Sequence, residues 1–354
     1  MNETIPSWPV RQQTIEAVPV ERLRAPWWMR GGSGLGRLMQ RWRRPPPGVY
    51  ILAYHSVVDP EHRQSWEQYY RKGEVTFQTL ERQLETLLGW MIPLPLSRVP
   101  ALWEQGGPDR PYLVVTFDDG YQNNRRLAAP ILQRLGIRAT LFVNGAFAGQ
   151  RELFYRVAAA MLVGRGYAEA LATALQAVLP KESWSSDPER LFGQTKNQYA
   201  PGIMEATVER VFVEQIGTWE GLGVHLTVEE ICELQESGWE IGNHTLGHRI
   251  LGRLTFPEVA SAIEENESFW SQAGIPLIPF LAYPVGRSSD VNDAVYRYLQ
   301  TRPELHALFC GGGVNLEASR IDWLRFSLGR AEQPDRILEA LRVEVSRTRA
   351  AGHG

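Results

Sequence analysis

Short apolar runs that alternate with helical patterns constrain the fold of this chain more than any other feature. The runs have the length and character of buried strands, and they occupy residues 49–54, 113–117, 139–143, 239–242, 278–283 and 305–309. Helical patterns occupy residues 77–88, 127–135, 227–237, 257–273, 290–299 and 334–345. Repeated alternation of strands and helices predicts an α/β fold, either a parallel sheet or a β/α barrel.

Two stretches depart from this alternation. Residues 150–223 carry Ala-rich helical patterns without a strand, and the alternation resumes after them. We therefore interpret them as a helical insertion within a barrel that spans residues 48–346. Residues 1–47, rich in Arg, Trp and Pro, are predicted to form a flexible basic leader, and residues 347–354 a short tail. The Trp and Arg residues of the segment 20–44 also suit a peripheral membrane contact.

Composition and charge argue against several classes of protein. The chain has 37 Lys and Arg against 40 Asp and Glu, a formal net charge of −3, which argues against a nucleic-acid partner. Its two cysteines, Cys232 and Cys310, exclude a disulfide scaffold and are interpreted as small core residues. The sequence lacks both a signal-peptide pattern and an apolar run of the ~20 residues that span a membrane. We therefore expect a cytoplasmic or peripheral membrane location.

Polar side chains with catalytic potential stand where the predicted strands end. His55 follows the first run, Asp118 and Asp119 follow the second, and His244 comes soon after the fourth. Tyr283 is the last residue of the fifth run. In a β/α barrel the carboxyl ends of the strands converge on one face, where active sites are built. We therefore expect these distant residues to meet in one pocket.

The segment Thr116-Phe117-Asp118-Asp119-Gly120 places two adjacent carboxylates at a strand end. Such a pair is costly to desolvate unless a cation or hydrogen bonds compensate. Because successive side chains diverge, one carboxylate can bind a metal while the other faces substrate as a base. Taken alone, the segment also fits a turn whose acids cap the next helix.

His244 and His248 are four residues apart, so both can lie on one face of a helical turn. Neutral imidazole suits Zn²⁺ and similar ions, although the pair alone also fits two solvated or capping histidines. Together with Asp119, it would provide two nitrogens and one oxygen. Such a set leaves positions for water and substrate, as catalytic metal sites do.

The TFDDG and HTLGH segments resemble the first two motifs of the polysaccharide deacetylase family (NodB-like, carbohydrate esterase family 4). The likeness covers about residues 48–150 and 224–340, and it includes the segments 52–55 and 280–286. The resemblance implies a distorted (β/α) barrel of the NodB, or glycoside hydrolase/deacetylase, type. It also implies a hydrolase that removes N-acetyl groups from an N-acetylated sugar or polysaccharide.

The resemblance further implies a role for each matching residue. Asp119, His244 and His248 would hold a divalent metal, usually zinc in this family, with iron, cobalt or nickel as alternatives. Asp118 would act as the base that takes a proton from a water bound to this metal. The backbone N–H of Tyr283 would help to stabilise the tetrahedral oxyanion.

The third motif and the general acid depart from the family pattern. Ala282 and Val285 stand where relatives often carry an Arg that orients the catalytic Asp and a Tyr. Arg330 is a candidate for the missing cation. The usual late Leu-x-His is absent, and His306 stands at the start of a strand. His55, at the carboxyl end of its strand as in poly-N-acetylglucosamine deacetylases, is therefore predicted to be the acid; a buried structural His is the alternative.

Two further functions remain open at this point. The basic leader favours deacetylation or deformylation of a lipid-linked amino sugar at a membrane. The altered third motif favours a catalytically inactive glycan-binding barrel, although the retained carboxylates and histidines argue against it. A Gly-x-Ser-x-Gly nucleophile motif is absent from the sequence, which disfavours a serine hydrolase. His225 is interpreted as a surface or helix-cap residue.

Overall fold

Parallel strands close into a barrel. The computed structural model describes residues 45–63, 67–70, 74–197 and 202–327, with Ile337, Leu341 and Val345. The strands are β1 (Gly48–Tyr54), β2 (Val57–Val58), β3 (Val75–Thr76), β4 (Ile92–Pro93), β5 (Pro111–Phe117), β6 (Thr140–Val143), β7 (Glu240–Asn243), β8 (Phe280–Ala282), β9 (His306–Gly312) and β10 (Trp323–Ser327). Strands β5 to β10 pair in succession, and β1 pairs with both β10 and β5, which closes the ring. The predicted (β/α) barrel is confirmed.

Helices connect and cover the strands. They are α1 (Glu67–Tyr70), α2 (Phe77–Leu88), α3 (Val99–Glu104), α4 (Ala129–Leu135), α5 (Gly145–Ala148), α6 (Tyr155–Gly164), α7 (Ala168–Val178), α8 (Pro188–Gln194), α9 (Ile203–Gln215), α10 (Val228–Glu236), α11 (Phe256–Gln272) and α12 (Asp293–Thr301). The capping box predicted before α10 is present, because Thr227 and Glu230 exchange side-chain and backbone hydrogen bonds. None of the described helices has the length and apolar character that a membrane span requires.

Both faces of the barrel strands are buried in apolar clusters, as expected for a parallel sheet covered by helices. Val49 and Ile51 of β1 pack with residues of β5, β6, β8, β9 and β10 in one cluster. Their neighbours Tyr50 and Leu52 join a second cluster, which includes apolar residues of α2, α4 and α10. Residues 337, 341 and 345, spaced four apart, are helical and belong to this second cluster; the rest of the predicted helix 334–345 lies outside the described residues.

The chain between β6 and β7 is helical, as predicted for the insertion at 150–223. Helices α6 to α9 share an apolar cluster of their own, which also contains Tyr121 from the loop after β5. This cluster lies against the carboxyl ends of the strands, because the ring of Phe154 is 4.6 Å from the ring of His248. The tail at 347–354, most of the leader at 1–47 and the membrane contact predicted for 20–44 lie outside the described residues.

Candidate metal and catalytic site

Asp119, His244 and His248 come together at the carboxyl ends of β5 and β7. Oδ1 of Asp119 lies 3.4 Å from Nε2 of His244 and 3.3 Å from Nε2 of His248. All three side chains are buried, and this carboxylate oxygen makes no hydrogen bond within the described part of the chain. A buried acceptor without a donor is costly, so the arrangement calls for a cation between the three groups.

The orientation of His244 and the neutral state of His248 suit metal binding. Nδ1 of His244 lies 2.8 Å from the carbonyl oxygen of Ala282, so Nδ1 must donate and the lone pair of Nε2 faces Asp119. Burial lowers the pKa of His248 to about 4, against the opposing charge of Asp119, and leaves this ring neutral at pH 7.

Backbone strain concentrates in the loops that carry these groups. Asp119, Thr245 and His248 have φ values of 69°, 63° and 54°, in the left-handed region that non-glycine residues rarely adopt. Val285, in the turn after β8, has a φ of 62°. Such conformations persist where the surrounding structure over-determines them, and they cluster at functional sites.

Asp118 forms a buried, two-point ion pair with Arg325 of β10. Nη1 and Nη2 of Arg325 lie 2.7 Å and 2.8 Å from Oδ1 and Oδ2 of Asp118. Nε donates to the carbonyl of Phe309 at 2.9 Å, which fixes the plane of the guanidinium. Burial would raise the pKa of Asp118, but the charge and hydrogen bonds of Arg325 keep that pKa below its usual range.

Arg325 therefore supplies the cation that the third motif lacks. The sequence had suggested Arg330 for this place, and Arg330 lies outside the described residues. Arg325 is fully buried in the middle of an apolar strand, where a charge needs a partner. A charged residue within an apolar strand is visible in the sequence WLRFS at 323–327, and this signal could have identified Arg325.

His55 lies beside Asp118 on the same face of the barrel. It hydrogen-bonds with the thiol of Cys310 from β9, and ligating atoms of His55, Asp118 and Cys310 lie within 4.8 Å of one another. Burial alone would lower the pKa of His55. The hydrogen bond to Cys310 and the charges of Glu74 and Asp118 outweigh burial and raise that pKa well above its usual value. This shift favours the protonated form of the imidazole.

Tyr283 does not serve the site as the sequence predicted. Its backbone N–H donates to the carbonyl of Leu308 at 3.0 Å, in the pairing of β8 with β9. Its hydroxyl donates to the carbonyl of Ile321 at 3.0 Å, and the side chain is buried. Both donors are engaged, so the assignment of Tyr283 as an oxyanion donor was wrong. His306 begins β9, at the opposite end from the candidate catalytic residues, as expected.

His225 belongs to the surroundings of the metal residues, which sequence reasoning missed. Its Nδ1 donates to the backbone carbonyl of Asp119 at 3.0 Å, and its ring stacks on Tyr121 with centroids 5.1 Å apart. Tyr121 and His225 also form an isolated antiparallel bridge. The segment that returns from the insertion thus holds the loop that carries Asp119. A pocket lined largely by insertion residues such as Phe154 and Trp219 opens nearby.

Comparisons with known proteins agree with this architecture. Among curated proteins, YxkH of Bacillus subtilis is 20% identical over 245 residues, which are 69% of this chain and 59% of that protein. The chain therefore spans less than two thirds of the length of this relative. The Streptococcus pyogenes deacetylase PplD, solved in complex with acetate, superposes with a TM-score of 0.51 at 16% identity, over 84% of this chain and 99% of that one.

A second solved structure, IcaB from Ammonifex degensii, superposes with a TM-score of 0.51 at 17% identity, over 84% of this chain and 97% of that one. At such identities these superpositions support the barrel fold. The family model described as "Polysaccharide deacetylase" matches residues 105–183 and 192–303, which are more than half of the sequence. This extent of sequence agreement, on a barrel of the family's shape, makes the chain a member of the polysaccharide deacetylase family.

Proposed function

We propose that this protein is a metal-dependent hydrolase that removes N-acetyl groups from an N-acetylated oligo- or polysaccharide. The observation that carries the proposal is the convergence of Asp119, His244 and His248 beside the Asp118–Arg325 pair. The fold family and the matched motifs support the same reaction. The residues proposed as metal ligands and the Asp118–Arg325 pair would have complementary roles in the hydrolysis of the amide of an N-acetylated sugar.

The residues proposed to hold the metal fit a divalent cation. Asp119 has an unsatisfied buried oxygen, His244 has its Nε2 lone pair directed at that oxygen, and His248 is neutral. One oxygen and two nitrogens suit Zn²⁺, with Fe²⁺, Co²⁺ and Ni²⁺ compatible with the same donors. When bound, the ion would supply Lewis acidity, which lowers the pKa of water and polarises the acetyl carbonyl.

Asp118 is proposed as the general base. Its depressed pKa keeps the carboxylate ionised at neutral pH, and the fork of Arg325 fixes its orientation. A carboxylate accepts more than two hydrogen bonds, so Asp118 can still accept a proton from a water molecule. The adjacent Asp119 faces the other way, toward the imidazoles, which separates the two carboxylates by task.

His55 is proposed as the general acid. Amide hydrolysis needs a proton for the departing amine, because an amide anion is a very poor leaving group. The raised pKa of His55 favours the protonated imidazole that an acid requires, and His55 lies beside Asp118. The pairing of Arg325 with Asp118 argues against the inactive glycan-binding barrel that the altered third motif had favoured.

The test is acetate release by the full-length protein loaded with zinc, on N-acetylglucosamine oligomers, peptidoglycan fragments and lipid-linked amino sugars. Asp118→Asn should retain zinc and lose hydrolysis by a factor of about 10²–10⁴, the usual contribution of a positioned base. The matched control is Asp109→Asn, an exposed carboxylate, which should hydrolyse at the parent rate. An Asp118→Asn protein with the parent rate would refute the assignment of the base.

Lipid-linked amino sugars are included because of the Arg- and Trp-containing segment 20–44. We propose that this segment contacts a membrane surface and brings the barrel to such a substrate. Co-sedimentation with anionic liposomes should be stronger for the full chain than for a chain that starts at Val49. Equal binding of the two chains would remove the membrane from the proposal.

A further inference from the structure

A second cluster of metal-ligating side chains adjoins the proposed metal site. His55 follows β1, Asp118 follows β5, and Cys310 lies in β9, so an imidazole, a carboxylate and a thiol from three strands meet within 4.8 Å. His55 and Cys310 are partly exposed, which gives an ion access from the pocket. The proposed reaction uses two of these groups and leaves the thiol without a role.

Cys310 is held firmly in this position by the turn of the third motif. Its backbone N–H donates to the carbonyl of Gly286 at 2.8 Å. A Cβ atom built on Gly286, whose φ is +71°, would lie 2.5 Å from the nitrogen and 2.7 Å from the Cβ of Cys310. The glycine therefore permits close contact between this turn and β9, and the thiol is fixed beside His55.

The groups around the cluster include two carboxylates and one guanidinium. Asp118 is negative, Glu74 acts on His55 from nearby, and Arg325 contributes the opposing positive charge. A thiol that binds a metal does so as a thiolate, which adds a further negative charge. Asp118 keeps lone pairs beyond the two that accept from Arg325, so the pair with Arg325 does not exclude an ion.

We propose that His55, Asp118 and Cys310 form a second binding site, which takes a thiophilic divalent cation such as Zn²⁺ and inhibits the enzyme. Thiolate, imidazole and carboxylate together are a zinc donor set, and the thiolate distinguishes this set from that of Asp119 and its two histidines. An ion bound here would occupy the proposed acid and the proposed base at once. The inhibition rests on the proposed function, whereas the binding does not.

Cobalt titration of the metal-free, full-length protein tests the binding. A thiolate ligand gives Co²⁺ a near-ultraviolet charge-transfer absorption, which we expect to grow with the second equivalent of metal. Cys310→Ser should abolish this absorption, and Cys232→Ser, a half-buried cysteine of α10, should leave it unchanged. His244→Ala should lose the other site and keep the absorption. An absent absorption in the parent, or an unchanged one in Cys310→Ser, would overturn the proposal.

The effect of added zinc on the rate of acetate release tests the proposed inhibition. At low zinc, Cys310→Ser should retain the tightly bound metal, which verifies its folding, and its own rate of acetate release is the reference for its inhibition. Half-inhibition of this variant should need at least about 10–100 times more zinc, because even outer-shell changes cost that much affinity. Equal inhibition of parent and variant would overturn the inhibitory role. If the protein releases no acetate from any substrate, the cobalt titration still decides whether the second site exists.

Discussion

Replacement of Arg325 should destabilise the protein and move the pH range in which it is active. In the parent, both oxygens of Asp118 accept hydrogen bonds from Arg325, and both side chains are almost fully buried. Arg325→Ala removes the partner and leaves a buried carboxylate without a counter-charge. Loss of one member of a buried ion pair costs about 3–5 kcal/mol of unfolding free energy. Arg325→Lys keeps the charge but loses the two-point geometry, so its cost should be smaller.

The pH dependence follows from the pKa of Asp118. In the parent this pKa is depressed, so the pair contributes its full stability above the unfolded value of about 3.9 and loses it as pH falls through the folded pKa. In Arg325→Ala, 3–5 kcal/mol corresponds to a rise of about 2–4 pH units in the pKa of Asp118. The destabilisation should therefore be largest near neutral pH and should shrink as acid protonates Asp118.

Urea unfolding between pH 4 and 8 measures the stability, and the acid limb of the rate of acetate release reports the base. The control is Arg134→Ala, which breaks an exposed ion pair with Glu81 and should cost at most about 1 kcal/mol. Asp118→Asn combined with Arg325→Ala should cost less than the sum of the single changes. An Arg325→Ala protein with parental stability and an unmoved acid limb would refute the role assigned to Arg325.

Three further outcomes are expected. His248→Ala should lose the tightly bound metal on dialysis, measured by elemental analysis; retention of the metal would contradict its role as a ligand. His225→Ala should weaken metal affinity by about 10–100-fold, because His225 positions the backbone of Asp119, whereas His62→Ala at an exposed site should leave affinity unchanged. Thr227→Ala removes a helix cap and should lower the unfolding free energy by about 1 kcal/mol in urea titrations; no loss would contradict the observed cap.

The fold and the proposed metal ligands were predictable because their signals are local. Apolar runs marked the strands of the barrel, and the polar residues after β5 and β7 follow directly in the sequence. Parallel strands must bring their carboxyl ends to one face, so Asp119, His244 and His248 could be expected to meet. The capping box at Thr227 likewise depends on residues three apart.

The errors concern contacts that depend on how distant segments align. The cation for Asp118 comes from Arg325, and only the register of β10 against its neighbours determines which Arg faces the barrel interior. The register of β8 against β9 likewise determines that the backbone N–H of Tyr283 pairs with β9. His225 comes next to Asp119 because the chain returns to the barrel after a long helical insertion. The residues next to His225 in the sequence do not indicate where the chain returns.

The pairing of Asp118 with a residue 207 positions later bears on how this protein matures during translation. A nascent chain that ends before β10 has the carboxylate but lacks its guanidinium, and both strands that flank the missing one present unpaired edges. Ring closure and the pairing of Asp118 with Arg325 then become a single late event. The Asp118–Arg325 pair can therefore form only once β10 has been synthesised.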